Sequence, residues 1–288
     1  MEKKMVSAQA VKELREKTGA GMLDCKKALE EHGGDMEKAV DWLRQKGLSK
    51  AAKKAGRATS EGLVGMKVAA DEKRVVIVEV KCETDFVSRG EKFQAFLQDV
   101  VNIVDAKVPA TTEELLARSA GTGTVQDMLT SAIATIGENM QIGRAREMTA
   151  PNGIVGYYLH SNGKLAALVE IKADVVNDAV RAAAKNMAMQ VAATNPMAVD
   201  AASLDAAAIE REREVYRQKA REEGKPEKIV ERIADGAVKK FYKEVCLLEQ
   251  PYIRDDKQSI QDVLKAASKE AGTPISVVRF VRLQLGVE

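Results

Sequence analysis

Residues 62–81 read GLVGMKVAADEKRVVIVEVK, and residues 153–172 repeat the pattern without a gap as GIVGYYLHSNGKLAALVEIK. The two copies begin 91 residues apart. A second pair, VQDML from Val125 and IQDVL from Ile260, is 135 residues apart, so the second copy carries 44 residues more than the first. The sequence therefore predicts two related structural units, the second of which contains an insertion.

Apolar residues alternate with other residues along the second half of each repeat, which is typical of a β-strand. The alternating apolar positions are Val76, Val78, Val80 and Cys82 in the first copy, and Ala167, Val169, Ile171 and Ala173 in the second. In the first copy, Glu79 and Lys81 fall on the opposite face. The period of two therefore predicts one apolar face and one polar face on this strand.

A helix is predicted after the strands of each copy, because apolar residues recur at helical spacing. These positions are Phe93, Leu97, Val100, Val101 and Val104 in the first copy, and Met187 and Val191 in the second. A second helix and a further strand follow, around Arg144 in the first copy and Arg279 in the second. The chain is predicted to be of the α+β class, with two repeated β-β-α-α-β core subdomains and antiparallel sheets.

The amino-terminal residues predict a bundle of three short helices, separated by TGAG at residues 18–21 and by the glycine pair that precedes Asp35. Asp35 is a predicted N-cap, and Gly47 is a predicted C-terminal cap. A basic connector follows, which we interpret as a solvated linker. Its basic residues are Lys50, Lys53, Lys54 and Arg57.

The extra residues of the second copy lie at about 203–244, where a densely charged sequence keeps a narrow apolar stripe. The stripe consists of Val230, Ile233, Ala234, Ala237 and Phe241, and it is either internal packing or a partner surface. Gly-Lys-Pro at 224–226 marks a turn, so the insertion is predicted to be an antiparallel helical hairpin. The predicted domains are residues 1–55 (bundle with basic linker), 56–150 (first core subdomain), 151–202 with 245–288 (second core subdomain) and 203–244 (hairpin).

Composition excludes several classes of protein. The 45 basic and 43 acidic residues of the 288-residue chain nearly balance, so the broad basic field of a nucleic-acid-binding protein is missing. Cys25, Cys82 and Cys246 form no CxxC pair and lie far in sequence from His32 and His160, so neither a disulfide framework nor a metal site is expected. No apolar run is long enough to span a membrane, and we expect a cytoplasmic protein.

No catalytic motif is present in the sequence. The chain has no GxxxxGK[ST] loop, no GxGxxG after a strand, no GxSxG and no HExxH. Cys25 and Cys82 fall on apolar faces and are predicted to be small buried hydrophobic residues rather than reactive thiols. We therefore expect no cofactor, no metal and no catalytic residues, and a protein that is not an enzyme.

The two copies differ most where the chain leaves the repeated strand. The first copy has Thr84-Asp85-Phe86-Val87, and the second has VVND at residues 175–178. One interpretation is that Phe86 is a loop residue folded back onto its own core. The alternative is a presented wedge, in which burial of the ring against a partner is worth about 1.5–3 kcal/mol.

Three segments of the chain resemble the elongation factor Ts family. They are TGAGMLDCKKAL at residues 18–29, the TDFV motif at 84–87 and VCLLEQP at 245–251, which occur in the family's order across nearly the whole chain. The resemblance implies an amino-terminal bundle similar to ubiquitin-associated domains, a core of two similar subdomains and an inserted coiled coil. It agrees with the division that the internal repeats predict.

The resemblance also implies a translation elongation function. Members are guanine-nucleotide exchange factors that bind elongation factor Tu, both GDP-bound and nucleotide-free, and promote GDP release. Asp85 and Phe86, within the motif that Thr84 and Val87 complete, would enter the partner's nucleotide-binding domain, displace Mg²⁺ and loosen the phosphate loop. Further partner contacts are implied for a second set of residues, namely Lys12, Arg15, Met22, Leu23 and His160.

Other classes of function fit the sequence less well. A ubiquitin-associated-type binding scaffold without exchange activity would have the same bundle but would not need Asp85 and Phe86. An RNA-binding translation factor conflicts with the balanced charge, so no direct nucleic-acid partner is expected. No membrane partner is expected either, because no apolar run is long enough to span a membrane. An oxidoreductase using Cys82 would lack a cofactor loop and a resolving cysteine. Self-association through the helical hairpin stays open.

Overall fold

A computed structural model describes residues 6–287 of the chain, and it combines helices with small antiparallel sheets. The predicted α+β class is confirmed. The chain forms two compact units. One comprises the described residues up to Lys67 together with Val76–Arg146 and the last residues from Leu285; the other comprises Val68–Val75 and Glu147–Gln284. The division into four domains stays a prediction.

Three helices form the amino-terminal bundle. They are α1 (Ala8–Thr18), α2 (Met22–Glu31) and α3 (Met36–Lys54). Their apolar stripes meet in one small core, whose buried members include Val11, Leu14, Cys25, Leu29 and Leu43. The predicted N-cap is confirmed, because the Asp35 carboxylate accepts hydrogen bonds from the backbone N–H groups of Glu37 and Lys38.

The predicted end of the third helix at Gly47 is wrong, because α3 continues to Lys54. Gly47 is buried, and a Cβ atom placed on it would lie 3.5 Å from the Cβ of Ala134. A glycine inside a helix costs about 1 kcal/mol relative to alanine, and close packing on a neighbouring helix offsets this cost. The predicted basic linker is therefore mostly helix, and Lys50 lies 2.7 Å from the Asp24 carboxylate.

The first copy of the repeat contains one three-stranded sheet with helices. Its elements are β1 (Glu61–Val68), β2 (Arg74–Cys82), α4 (Asp85–Ser88), α5 (Glu91–Ala106), α6 (Thr112–Leu116), β3 (Ser119–Ala120), β4 (Gly123–Thr124), α7 (Val125–Ile136) and β5 (Met140–Thr149). The sheet has the order β1-β2-β5, and its core is shared with α5 and α7. The main elements follow the predicted β-β-α-α-β order, to which the structure adds α4, α6 and the small β3–β4 hairpin.

The second copy repeats this plan around a sheet of order β10-β7-β6, in which both pairings are antiparallel. Its elements are β6 (Gly153–Leu159), β7 (Leu165–Lys172), α8 (Asp178–Thr194), α9 (Ala206–Glu222), α10 (Glu227–Val245), β8 (Pro251–Tyr252), β9 (Asp255–Ser259), α11 (Ile260–Ala271) and β10 (Ser276–Gln284), with 3-10 turns at Ala201–Ser203 and Leu247–Glu249. The core of this copy lies between the sheet, α8 and α11.

The repeat extends to individual hydrogen bonds. Helices α7 and α11 both begin with a capping box and end at a glycine with left-handed backbone. Arg144 donates to Glu79 in the first copy, and Arg279 donates to Glu170 in the second. Glu79 and Glu170 occupy equivalent positions 91 residues apart, so the duplication includes the ion pair.

The sequence predicts one apolar and one polar face for β2, but the predicted polar face is also largely buried. Val75 and Ile77 on that face are inaccessible to solvent, and Glu79 is only 1% exposed. Burial raises the pKa of the Glu79 carboxyl, but two side-chain hydrogen bonds from Arg144, each 3.0 Å, more than offset burial and hold the pKa below its usual value. A buried carboxylate is tolerated here because an arginine binds it in a bidentate manner.

Helices α9 and α10 form the predicted antiparallel hairpin. Of the predicted stripe, Val230 and Ala234 are buried and Ile233, Ala237 and Phe241 are half-buried, so the stripe is mainly internal packing. Ion pairs join the two helices along their length; the pairs are Arg213–Asp235, Arg217–Glu231 and Arg221–Glu227. At the base, Ala198 and Cys246 are bridged, so the two ends of the insertion lie side by side. No helix within residues 6–287 is long and apolar enough to cross a membrane.

Candidate functional site

The TDFV motif forms a single turn of helix, α4, immediately after the central strand β2. Thr84 is the N-cap, and its hydroxyl accepts a hydrogen bond from the backbone N–H of Val87 at 3.3 Å. At the other end of the turn, the buried Ser88 hydroxyl donates to the Asp85 carbonyl at 3.0 Å. A turn this short is not stable alone, so the Thr84 cap and the Ser88 hydrogen bond within the turn define its conformation.

Phe86 is 85% exposed, and Asp85 beside it is also exposed. On the inner side of the turn, Val87 packs against the core of the first copy and Ser88 is buried. Because a helical turn that buries these two residues must direct the preceding side chain outward, the ring lies in solvent. The interpretation of Phe86 as a loop residue folded onto its own core is therefore wrong.

The charge beside the ring is arranged within the turn. The Asp85 carboxylate lies 2.8 Å from the Arg89 guanidinium, with both side chains mostly in solvent. An exposed pair at this spacing contributes little to stability, so the carboxylate is readily redirected to another charged group. The turn thus presents a large apolar ring and an accessible carboxylate from neighbouring positions.

The carboxylate of Glu138, in the loop after α7, supports the start of the turn. Its Oε2 accepts hydrogen bonds from the backbone N–H groups of Glu83 and Thr84 at 3.1 and 3.0 Å, and its Oε1 accepts from the Thr84 hydroxyl at 2.7 Å. In return, the Glu83 carboxylate accepts from the backbone N–H of Asn139 at 2.6 Å. We refer to these contacts of Glu83 and Glu138 as the carboxylate latch.

Cys82 lies at the inner end of the motif and is a buried hydrogen-bond donor. Its thiol donates to the Thr84 carbonyl at 3.2 Å. Burial, with a further contribution from the Glu138 carboxylate, raises the pKa of the Cys82 thiol to about 12. The prediction that Cys25 and Cys82 are buried, unreactive residues agrees with the burial of both.

The second copy lacks such a turn, although it follows the same strand. Asn177, at the position of Phe86, is the N-cap of α8, and its side chain accepts from the backbone N–H of Val180. In the first copy, Gly90 has extended backbone and separates α4 from α5. The first copy therefore breaks the helix that the second copy keeps continuous, and the break isolates the turn that bears Phe86.

The other predicted contact residues lie on different elements. Met22 and Leu23, at the first turn of α2, are 59% and 83% exposed, whereas Lys12 and Arg15 are exposed on α1. All four belong to the bundle and lie in the same compact unit as the motif. The exposed pair at the start of α2 is, like Phe86, apolar surface without a partner in the described part of the chain.

His160 lies in the other compact unit, in the turn between β6 and β7. Its backbone N–H donates to the Leu165 carbonyl at 2.8 Å, and its Nδ1 lies 2.9 Å from the Tyr158 hydroxyl. The predicted hairpin turn is confirmed, and the ring is an exposed group at its tip. Among residues 6–287, no group of three or more histidine, cysteine, aspartate or glutamate side chains could hold a metal ion.

Sequence reasoning missed Glu83, Glu138 and Asn139. Each lies more than 50 positions from its partner in the latch, so no local pattern marks the contact. A signal was available in the internal repeat, because the second copy has Thr273 and Pro274 in place of Glu138 and Asn139. Where two copies of one fold differ in charge, the differing residues are candidates for a function that only one copy has.

The chain is also similar in sequence to known proteins. The family model for Elongation factor TS matches residues 83–287. The chain is 56% identical over 292 residues to Elongation factor Ts of Lawsonia intracellularis, covering 98% of this chain and 99% of that protein. It is 58% identical over 286 residues to Elongation factor Ts of Nitratidesulfovibrio vulgaris (98% and 96% covered) and 48% identical over 285 residues to that of Clostridium novyi (98% and 93%). With these similarities over nearly its whole length, the chain belongs to the elongation factor Ts family of translation elongation factors.

Proposed function

We propose that this protein is a guanine-nucleotide exchange factor that binds elongation factor Tu carrying GDP and promotes release of the GDP. The observation that carries the proposal is the 85% exposure of Phe86 on a helical turn that is fixed at both ends. An apolar ring held in solvent gains about 1.5–3 kcal/mol when a partner buries it. The turn is therefore suited to act as a wedge.

The wedge acts on the Mg²⁺ ion that the partner holds against the nucleotide phosphates. Mg²⁺ is a large local positive charge and demands near-ideal octahedral coordination. A small displacement of its ligands therefore weakens the binding of the ion. Insertion of Phe86 displaces the elements around the ion, and Asp85 beside it perturbs the local charge. Loss of Mg²⁺ and loosening of the phosphate loop lower the affinity for GDP and allow GTP to enter.

The coupling must be reciprocal. If this protein lowers the affinity of elongation factor Tu for GDP by some factor, GDP lowers the affinity for this protein by the same factor. The nucleotide-free partner is then the form that binds most tightly. Rebinding of nucleotide, GTP included, releases the exchange factor for another cycle in the cytoplasm, without covalent chemistry and without a cofactor of its own.

The bundle supplies docking contacts in this proposal. Met22 and Leu23 present apolar surface at the start of α2, and Lys12 and Arg15 add positive charge on α1. His160 contributes from the second copy. These contacts set the affinity, whereas Asp85 and Phe86 act on the nucleotide site, so docking and exchange are separable by mutation.

The test is the variant Asp85→Ala/Phe86→Ala, assayed by release of fluorescent GDP from elongation factor Tu at increasing concentrations of the exchange factor. The maximal release rate is expected to fall about tenfold to a hundredfold, because an interaction that acts on the partner's strained state is lost. Thermal stability should change little, since both side chains are exposed. Val175→Ala, which removes an exposed side chain from the second copy, is the matched control and should retain full activity.

A binding scaffold without exchange activity is the alternative function. It shares the bundle and its exposed apolar pair, so docking of elongation factor Tu alone does not distinguish the two. If the double variant and the unmodified chain release GDP at the same maximal rate, Phe86 is not a wedge and the exchange mechanism is wrong for this protein.

A further inference from the structure

We propose that Glu138 is a positioning residue for exchange, which holds the Phe86 turn in its presenting conformation through Thr84. The inference rests on the proposed function, since positioning matters only if the turn acts on a partner. Glu138 is remote from the wedge in sequence, and its hydrogen bonds near the motif are to Glu83 and Thr84 rather than to Asp85 or Phe86. Its action is therefore on the geometry of the turn.

Two hydrogen bonds of the Thr84 hydroxyl connect Glu138 to the helical turn. The Thr84 hydroxyl has one proton, and it donates that proton to Glu138 Oε1 at 2.7 Å. The hydroxyl oxygen therefore keeps its lone pairs for the backbone N–H of Val87, which is the capping bond of α4. The carboxylate thus fixes the orientation of the hydroxyl that caps the helical turn.

Glu138 also satisfies backbone groups where β2 ends. The N–H groups of Glu83 and Thr84 both point to Oε2, at a place where the chain leaves the sheet. A charged acceptor makes stronger hydrogen bonds than a neutral one, and an unmade bond to a partly buried group is costly. Loss of the carboxylate would release the two residues that lead directly into the turn.

Within residues 6–287, the latch occurs in the first copy and not in the second. At the positions of Glu138 and Asn139, the second copy has Thr273 and Pro274, and proline has no N–H to donate. Asp174, at the position of Glu83, is exposed. Because the second copy folds to the same plan without the latch, the fold itself does not require it, and the latch accompanies the turn that bears Phe86.

The end of α3 and the residues just after it also contact the loop after α7 and the latch. The Asn139 amide donates to the Arg57 carbonyl at 2.8 Å, and the Arg57 guanidinium lies 3.4 Å from the Glu83 carboxylate. Lys54 donates to the carbonyl of Gly137. The latch therefore joins the turn to Arg57, just beyond the end of α3, as well as to the loop after α7, so two segments define the position of the turn.

The test compares Glu138→Ala with Glu138→Gln. Glutamine can accept the two backbone N–H groups with its carbonyl and donate its amide to the Thr84 oxygen, so it should restore most of the geometry. In the free Glu138→Ala protein, hydrogen–deuterium exchange at the amides of Thr84 and Val87 is expected to accelerate about tenfold or more. The maximal rate of GDP release should fall about threefold to tenfold, with the half-saturating concentration changed less than about twofold.

Two controls separate positioning from general damage. Asp174→Ala removes the carboxylate at the position in the second copy that corresponds to Glu83, and it should leave both the release rate and the amide exchange of Thr84 unchanged. In a Phe86→Ala background, Glu138→Ala should cause no further loss of rate, because a residue that acts through the ring has nothing left to position.

Several results would overturn the proposal. Unchanged amide exchange at Thr84 and Val87 in Glu138→Ala would show that the carboxylate does not hold the turn. An unchanged release rate in Glu138→Ala, measured beside a slow Phe86→Ala variant, would show that holding the turn is irrelevant to exchange. If Phe86→Ala itself keeps the full rate, the proposed function fails and positioning for exchange fails with it, while the amide exchange still reports whether Glu138 fixes the turn.

Discussion

Arg44 on α3 donates a 2.8 Å hydrogen bond to the carboxylate of Asp127 on α7. The same carboxylate accepts from the backbone N–H and the hydroxyl of Thr124, which completes the capping box of α7. Because Arg44 and then Thr124 bind the charged form, the pKa of Asp127 is lowered to about 2. One carboxylate therefore caps a core helix and anchors the amino-terminal bundle.

A pH dependence of stability follows from this carboxylate. A group whose pKa is lower in the folded than in the unfolded chain stabilises the fold above its unfolded pKa and loses this effect as the pH falls through the folded value. The melting temperature difference between the unmodified chain and Asp127→Ala should therefore be full above about pH 4 and shrink towards pH 2. Calorimetry across this range measures it.

The equivalent residue of the second copy provides the control for that experiment. Asp262 completes the capping box of α11 and accepts from Ser259, but within residues 6–287 its basic neighbour is Lys265, 4.0 Å away, and no arginine pairs with it. Asp262→Ala should lower the melting temperature less than Asp127→Ala at neutral pH. Equal losses in the two variants would show that the Arg44 contact contributes nothing measurable.

The Cys82 thiol is expected to resist alkylation. With its pKa raised to about 12, the reactive thiolate is nearly absent at pH 8. Modification by iodoacetamide, followed at this residue by peptide mass spectrometry, should be roughly a thousandfold slower than for an exposed thiol. Unfolding in guanidinium chloride should restore the ordinary rate, and rapid modification of the native chain would contradict the burial and the Thr84 hydrogen bond.

Two glycine substitutions are expected to have opposite effects. A Cβ atom on Gly143 would lie 2.4 Å from the Glu79 carboxylate, so Gly143→Ala should displace the buried ion pair and destabilise the fold by about 1–3 kcal/mol. Gly236 lies within α10 with open space around it, so Gly236→Ala should stabilise by about 0.5–1 kcal/mol. Chemical denaturation of both variants tests the pair, and a stable Gly143→Ala variant would show that Glu79 can move without cost.

The helical hairpin should be removable without loss of the core. Replacing residues 206–242 by a flexible glycine–serine linker removes α9 and most of α10 but keeps the Ala198–Cys246 bridge at the base. Circular dichroism should lose helical signal, while hydrogen exchange at β7 amides should remain slow. Fast exchange throughout β7 would show that the second copy depends on the hairpin for its stability.

Sequence patterns predicted the parts of this fold that depend on local order. The duplication, the bundle, the core helices and the hairpin were all predicted, because amphipathic periods and glycine or proline breaks record how each segment faces its core. The exposed position of Phe86 was only one of two interpretations. The strand alternation ends before the motif, and local sequence does not determine on which side of a single helical turn a ring lies.

The remaining features depend on contacts between distant residues. Gly47 resembles a helix end in sequence, but α3 continues through it, and it is buried beside Ala134 of α7. Glu79 resembles a solvent-facing strand residue until Arg144, 65 positions away, is placed beside it. The small β3–β4 and β8–β9 hairpins are too short to show any period. Tertiary packing overrode local preference at Gly47 and Glu79, whereas the two hairpins left no local signal.

The bridge between Ala198 and Cys246 also bears on the order in which the second copy folds. Parts of its core that precede and follow the insertion are far apart along the chain, and closing a long flexible loop costs entropy before any contact rewards it. Helices α9 and α10 are neighbours in sequence, and their pairing needs only a tight turn. If the hairpin forms first, it brings β8, β9, α11 and β10 back to α8. A segment outside the core then speeds the assembly of the core.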